Sequence, residues 1–127
     1  RFISNLDGDL IELVKGNAEE LPFEDGSLQA ISCVYLFHEL PRTVREKVLK
    51  EFFRVLEPGG IIVLADSIQV NDSPDFIQIM ENFHKSFHEP FYCDYIKEDL
   101  NSKIEEVGFN KIQSKSFFMT KVWSAIK

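Results

Sequence analysis

Two apolar runs, separated by an amphipathic helix and a glycine turn, constrain the fold of this chain more than any other feature. The first run is LQAISCVYLF, Leu28–Phe37, and the second is IIVLAD, Ile61–Asp66. Nearly continuous apolar runs of this length are typical of strands buried on both faces of a parallel sheet. Between them, Pro41 suits the first turn of a helix, and EPGG, Glu57–Gly60, ends that helix. Strand, helix, tight turn and strand together predict a right-handed βαβ unit.

The predicted helix carries its apolar side chains on one face. These positions recur at helical spacing and are Val44, Val48, Leu49, Phe52, Val55 and Leu56. The basic residues that cover the rest of the helix are Arg45, Lys47, Lys50 and Arg54. The pattern therefore places all four basic side chains on the outer surface.

The remaining segments complete a single α/β unit spanning residues 1–127, with no internal repeat or linker. LIELV, Leu10–Val14, predicts a short strand that precedes the βαβ unit. A second helix is predicted after VNDSPD, with Phe76, Met80, Phe83 and Phe87 in a stripe. A third is predicted from about Lys97, with Ile96, Leu100, Ile104 and Val107 on one face and Gly108 as its left-handed cap. The last residues predict a hairpin of two strands joined at Met119–Thr120.

Composition and charge exclude several classes of protein. A chain of 127 residues with 44% hydrophobic and 28% charged residues has the make-up of a globular domain. Its net charge of −7 argues against nucleic acid or an anionic membrane as the main partner. No apolar stretch is long enough to span a membrane. We interpret Cys33 and Cys93 as reduced thiols, which favours a cytoplasmic location.

Four motifs in order resemble the class I S-adenosylmethionine-dependent methyltransferases that act on small molecules. They are GNAEELPF, the strand end SCVYLFHEL, the turn LEPGGIIVLAD and the late segment YCDYIKEDLNSKIEEVGF. The resemblance covers Leu10–Lys127. It implies a Rossmann-like, doubly wound, mostly parallel sheet of strand order 3-2-1-4-5-7-6 that ends in an antiparallel hairpin. It begins at the third strand, so the chain is predicted to be the C-terminal part of a catalytic domain, without the Gly-rich motif and inactive by itself.

The resemblance implies that this chain supplies one side of an S-adenosylmethionine pocket. A loop at the carboxyl end of a buried strand is where ligands of such sheets bind. Asn17 would accept a hydrogen bond from the adenine amine, Ala18 would donate its backbone N–H to the ring, and Leu21 would border the ring. The carbonyl groups of Cys33 and Val34 would meet the amino group of the cofactor. The alternative is an ordinary polar loop whose Leu-Pro-Phe sequence plugs into the core.

The acceptor side is predicted at the ends of the two apolar strands. Tyr35 would lie beside the transferable methyl group, and His38 has a side chain suited to act as a base. Asp66, Tyr92 and Tyr95 are candidate contacts of a small-molecule acceptor. The alternatives are a packing or capping role for His38, a core position for Tyr35 and a capping role for Asp66.

Two further expectations follow from the sequence. His84 and His88 are spaced like zinc ligands, but no third ligand stands at a recognisable distance, so we expect no metal site. The strand LQAISCVYLF would be left as an exposed edge, which is a liability for a sheet. Either Leu10–Val14 pairs with it, or a second copy does so in a homodimer. The function predicted is methyl transfer to a small-molecule or lipid-like acceptor, and the alternative is a non-catalytic binding or assembly module.

Overall fold

The computed structural model describes residues 11–127, apart from the side chains of residues 84, 85 and 87. Within this part of the chain the strands and α-helices are β1 (Leu28–Val34), α1 (Arg42–Val55), β2 (Leu56–Ser67), α2 (Ile77–Phe87), α3 (Tyr92–Lys97), α4 (Leu100–Val107), β3 (Asn110–Phe117) and β4 (Thr120–Ile126). Short 3₁₀ turns span Phe37–Glu39 and Pro74–Phe76.

The four strands form one sheet in the order β1-β2-β4-β3. The strands β1 and β2 are parallel and are joined through α1, which confirms the predicted strand–helix–strand unit. The pairs β2–β4 and β4–β3 are antiparallel. This is the 4-5-7-6 part of the expected strand order, so the α/β class and the terminal hairpin are confirmed. Within residues 11–127 one pairing is parallel and two are antiparallel.

The core lies on one face of the sheet, against α1 and α4. Its fully buried residues include Val48, Leu49 and Phe52 of α1, Ile62 and Leu64 of β2, Leu100 and Ile104 of α4, and Trp123 and Ala125 of β4. Alternate residues on the opposite face are exposed, with Ile61 at 43%, Val63 at 37% and Val34 at 60%. The prediction that both apolar strands are buried on both faces is therefore wrong for the described part of the chain. An apolar run indicates a propensity to form a strand. Burial of the second face of that strand requires a layer of helices or strands packed against it.

The predicted strand Leu10–Val14 is not found in its described part. Residues 11–14 have no regular structure, and Leu13 is 82% exposed; Leu10 lies outside the described residues. Within the described residues 11–127, β1 pairs only with β2. Residues 11–14 therefore do not pair with the edge of β1 that faces away from β2. An apolar run forms a strand only when a partner accepts its hydrogen bonds, which intrinsic propensity does not provide. Pairing of this edge with a second copy stays a prediction.

The predicted third helix is found as α4, which begins at Leu100 instead of about Lys97, and Ile96 belongs to the separate helix α3. The side-chain amide of Gln69 donates to the carbonyl groups of Tyr95 and Glu98, at 2.9 and 2.5 Å, where α3 ends. Asp99 then caps α4 by accepting from the Ser102 N–H at 3.3 Å. The left-handed cap at Gly108 is confirmed by its φ of 118°.

The hairpin and the first strand differ from prediction by small amounts. The chain reverses through Phe118 and Met119, one residue earlier than predicted. The strand β1 ends at Val34 because Tyr35 adopts a left-handed conformation, with φ at 50°. The segment EPGG lies within β2 instead of forming a separate turn. A Cβ at Gly60 would lie 2.9 Å from the Glu57 carbonyl oxygen, so this close approach requires glycine.

Candidate active site

The carboxyl ends of β1 and β2 lie side by side and bring two predicted site residues together. The Tyr35 N–H donates to the Ala65 carbonyl at 2.8 Å, which joins the end of β1 to β2. The left-handed Tyr35 then turns the chain into the 3₁₀ turn Phe37–Glu39. Phe37 is 1% exposed and anchors this turn in the core. His38 therefore projects from a fixed turn towards the end of β2, where Asp66 stands.

His38 and Asp66 form a hydrogen-bonded pair. His38 Nδ1 lies 2.7 Å from Asp66 Oδ1, and because a carboxylate only accepts, Nδ1 carries the proton. Asp66 also accepts from the backbone N–H of Phe37 at 2.8 Å and of Ser67 at 2.7 Å. Its carboxylate is 1% exposed, so it faces His38 and the backbone instead of the acceptor contact that we predicted. Asp66 thus orients the imidazole and leaves Nε2 on the opposite side of the ring.

The carboxylates around His38 raise its pKa above the ordinary value. The hydrogen bond that His38 donates to Asp66 is the largest cause, and partial burial of the ring opposes it. The charges of Asp66, Glu89 and Glu39 add to the upward shift. A histidine oriented by a buried carboxylate and with a raised pKa is a stronger base than a free imidazole.

Three tyrosines pack edge-on against His38. The ring centroids of Tyr35, Tyr92 and Tyr95 lie 6.1, 6.1 and 6.3 Å from the imidazole centroid. The Tyr92 hydroxyl lies 2.8 Å from the Ser67 hydroxyl, and the Tyr95 hydroxyl donates to the Ser67 carbonyl at 2.7 Å. Burial raises the pKa of both phenols, so both are neutral near pH 7.

The candidate acceptor contacts Tyr92 and Tyr95 are buried side chains. Tyr92 and Tyr95 are almost wholly buried, so they form the wall behind His38. Tyr35 is half exposed, contrary to the alternative of a core position, and its hydroxyl pairs with the Thr120 hydroxyl. Tyr35 is therefore the most accessible of the three tyrosines around His38, and the wall behind the histidine is aromatic.

His38 opens on a cleft of about 230 Å³ at the junction of α2 and α3. Its lining residues are His38, Glu39, His88, Glu89, Pro90 and Phe91. Glu89 Oε2 lies 3.4 Å from His38 Nε2. Sequence reasoning missed Glu89. The dipeptide Glu-Pro after the second helix indicates a loop, but only the fold brings that loop to His38.

The predicted adenine loop is held firmly against α1. Asn17 Oδ1 accepts from the Glu19 N–H at 3.0 Å in a local turn. The Leu21 N–H donates to Glu51 Oε1 at 2.7 Å, and Arg54 Nη2 donates to the Leu21 carbonyl at 3.2 Å. Hydrogen bonds from Arg54 lower the pKa of Glu51, which keeps this carboxylate ionised. The loop is thus preorganised, and Asn17 has one remaining lone pair on its side-chain oxygen for a ligand.

The other predicted cofactor residues lie at positions that suit a pocket wall. Ala18 and Leu21 are half-buried and pack against the core. Cys33 is also half-buried, and burial raises the pKa of its thiol to about 11, so the thiol is neutral. Val34 is exposed at the end of β1. Among the described residues only β2 pairs with β1.

In the described part of the chain, no three side chains of His, Cys, Asp or Glu are grouped to hold a metal ion, and the His84 side chain lies outside it. No described helix has both the length and the apolar character that crossing a membrane requires.

An open α/β sheet in which the parallel strands β1 and β2 are joined through a helix is typical of Rossmann-like proteins. The profile of the family described as methyltransferase domain matches residues 3–64. The chain belongs to the class I S-adenosylmethionine-dependent methyltransferases. S-Adenosylmethionine is the cofactor of this family.

Three known proteins illustrate the similarity. The chain is 32% identical over 126 residues to a demethylmenaquinone methyltransferase from Staphylococcus haemolyticus, covering 84% of this chain and 51% of the relative. It is 46% identical over 52 residues to a ubiquinone/menaquinone biosynthesis C-methyltransferase from Brucella canis, covering 41% of this chain and 19% of the relative. The fold matches human N-acetylserotonin methyltransferase in complex with S-adenosylmethionine, with a TM-score of 0.72 and 14% identity over 98% of this chain and 36% of that protein. The chain spans about half the length, or less, of these proteins.

Proposed function

We propose that the protein formed by this chain transfers a methyl group from S-adenosylmethionine to a small-molecule or lipid-like acceptor, with His38 as the base. The observation that carries this proposal is the His38–Asp66 pair at the carboxyl ends of β1 and β2, whose histidine opens on the cleft at the junction of α2 and α3. Two relatives with quinone-related names favour a hydroquinol that carries a prenyl chain as the acceptor. The half-exposed Tyr35 ring, edge-on to His38, suits contact with such a ring.

The cofactor supplies the electrophilic methyl group when bound. The residues of this chain fit one side of its pocket: Asn17 and Ala18 would hydrogen-bond the adenine, Leu21 would cover its face, and Cys33 and Val34 would offer carbonyl groups. The preorganised loop supports this assignment, because Leu21 is held on both its N–H and its carbonyl. Asn17 would give up or share its contact with the Glu19 N–H.

The chemistry of this chain lies at His38 Nε2. Removing a proton from a hydroxyl of the acceptor concentrates negative charge on the oxygen or on the conjugated ring carbon that attacks the methyl group. Asp66 keeps the Nδ1 proton in place, so Nε2 is the nitrogen that receives the proton. General base catalysis of this kind contributes about 10²- to 10⁴-fold.

One experiment tests both halves of the proposal in the protein as its gene encodes it. We expect His38→Gln to lower the rate of methyl transfer to a prenylated hydroquinol by about 10²-fold or more while cofactor affinity is retained. We expect Asn17→Leu to weaken cofactor binding in calorimetry, and Asn17→Asp, which keeps the acceptor oxygen, to retain it. A His38→Gln enzyme with wild-type turnover would contradict the role of His38.

A non-catalytic module is the second candidate. It is favoured by the hydrogen bond that Asn17 Oδ1 already accepts from the Glu19 N–H, since this bond occupies the oxygen that would bind the adenine amine. If calorimetry detected no binding of S-adenosylmethionine to the wild-type protein, this second function would replace the first.

A further inference from the structure

Glu89 has a buried carboxylate oxygen. The proposed methyl transfer, in which His38 is the base, assigns no role to this oxygen. The residue lies in the loop between α2 and α3. Its Oε2 is buried without a hydrogen-bond partner in the described structure, 3.4 Å from His38 Nε2. Glu39 Oε1 lies 3.9 Å from the same nitrogen, but its side chain is 61% exposed. Glu89 is therefore the carboxylate that faces the reactive nitrogen inside the cleft.

The contact between Glu89 and His38 depends on a hydrogen that only one protonation state supplies. Asp66 accepts the Nδ1 proton, so a neutral His38 presents the lone pair of Nε2 to Glu89. A carboxylate also presents only lone pairs, and two acceptors at this distance repel each other. The arrangement is favourable when His38 is protonated or when a donor from a ligand enters between the two groups.

The groups that face His38 make this part of the cleft negative. Asp66 approaches from β2, Glu89 from the α2–α3 loop and Glu39 from the turn that carries His38. The phenols of Tyr35, Tyr92 and Tyr95 complete the surroundings. No described Lys or Arg side chain forms an ion pair with Glu89. An anion entering the cleft would thus meet uncompensated negative charge at low exposure, where it is poorly screened.

We propose that Glu89 determines acceptor specificity, by requiring a hydrogen-bond donor and rejecting acceptors that carry a negative charge next to the reacting group. This inference rests on the proposed function, since it concerns the same cleft. A neutral hydroxyl-bearing ring replaces the missing hydrogen between Glu89 and Nε2, whereas a carboxylate or phosphate cannot.

The proton balance of the entry step follows from this placement. His38 becomes neutral when the proton on its Nε2 leaves to solvent, and the acceptor hydroxyl then donates to Nε2. The O–H bond breaks, its electron pair stays on the acceptor oxygen, and the proton forms an N–H bond at Nε2. Glu89 then accepts from that N–H and stabilises the imidazolium until the product leaves.

The test uses binding to this chain, with no turnover. The imidazole of His38 is followed at pH 7 by two-dimensional ¹H–¹⁵N NMR, and its signal is assigned by its loss in His38→Gln. Two probes of similar size are titrated: hydroquinone, which is neutral and donates, and benzoate, which is an anion. The variant Glu89→Gln keeps the shape but removes the charge, and Glu39→Gln is the matched control on an exposed carboxylate.

We expect hydroquinone to perturb the His38 signals at a concentration about tenfold lower than the concentration of benzoate that is needed. Repulsion of the benzoate anion by a poorly screened charge at this distance weakens binding by about tenfold. Glu89→Gln should narrow this preference to about threefold or less, and Glu39→Gln should leave most of it. Without ligand, Glu89→Gln should lower the measured pKa of His38 more than Glu39→Gln does. An unchanged preference in Glu89→Gln, or no perturbation of His38 by either probe, would overturn the role of Glu89. Because this experiment measures binding and no methyl transfer, its result is independent of the test of the proposed function.

Discussion

Arg45 offers the sharpest test of the fold, because its guanidinium is buried where the helical pattern places it on the surface. Its side chain is 1% exposed. Its Nε donates to Glu98 Oε2 at 2.6 Å, and its Nη1 donates to the Leu40 carbonyl at 2.5 Å. A further contact joins Nη2 to Asp94. Arg45 thereby ties α1 to the segment that ends α3 and to the turn that carries His38.

The expected cost of Arg45→Met follows from the burial of Glu98. The Glu98 side chain is 3% exposed, and its Oε1 already lacks a hydrogen-bond partner in the described structure. Removing the guanidinium leaves the buried Glu98 carboxylate with only the half-exposed Arg42, whose Nε lies 3.7 Å from Glu98 Oε1. Loss of the buried partner then costs up to about 3–5 kcal/mol of unfolding free energy. Asp94 is 43% exposed and stays hydrated, so it adds little. Since domains of this size are stable by about 5–15 kcal/mol, the loss is a large fraction of the total.

Urea unfolding followed by circular dichroism measures this loss. The double variant Arg45→Met, Glu98→Leu removes both charges, and we expect it to recover most of the stability because neither ion remains buried alone. Lys47→Met on the same helix is the control. Its side chain is 65% exposed, so its cost should stay within about 0.5 kcal/mol. A cost of Arg45→Met below about 1 kcal/mol would refute the reasoning that the pair is desolvated.

Two further predictions concern stability. Because the folded state raises the pKa of His38, its contribution to the unfolding free energy is present in full below the unfolded pKa of about 6.5 and is lost as the pH rises through the higher folded value. The difference in unfolding free energy between wild type and His38→Gln should therefore shrink from pH 5.5 to pH 8.5, and a difference that grows with pH would contradict this sign. Gly108→Ala should cost about 1–2 kcal/mol, since φ is 118° and the new Cβ would lie 3.1 Å from the Phe53 ring. Gly59→Ala is the control, with φ at 84° and no atom within 4 Å of the new Cβ, so an equal loss in both variants would exclude the Phe53 contact as a cause.

Local patterns predicted the elements that depend on neighbouring residues. The strands β1 and β2, the helix α1 between them and the cap at Gly108 agree with the sequence to within a few residues. These features arise from side-chain periodicity and from backbone conformations that particular residues favour, both of which are readable in a short window. The motifs that resemble the methyltransferases added the strand order, which periodicity alone does not contain.

The site was only partly predictable. The sequence predicted His38 from the end of the first apolar strand and Asp66 from the end of the second. Each residue was therefore a separate candidate. It did not predict that Asp66 is buried against His38, because their 2.7 Å contact depends on the turn after Tyr35. Glu89 lies in a distant loop, and nothing in its own neighbourhood along the chain points to the histidine.

The sequence alone determined most of the strands and helices from β1 onward, because those choices are made largely by adjacent residues. The tertiary structure decided which faces and charges are buried. The outer faces of β1 and β2 are exposed despite their apolar sequence, and Arg45 is buried despite its charge. Periodicity describes one element at a time, whereas burial is a relation between elements. A lone arginine is driven to solvent by its hydration, and Arg45 is buried because Glu98, Asp94 and the Leu40 carbonyl are brought to it by the fold.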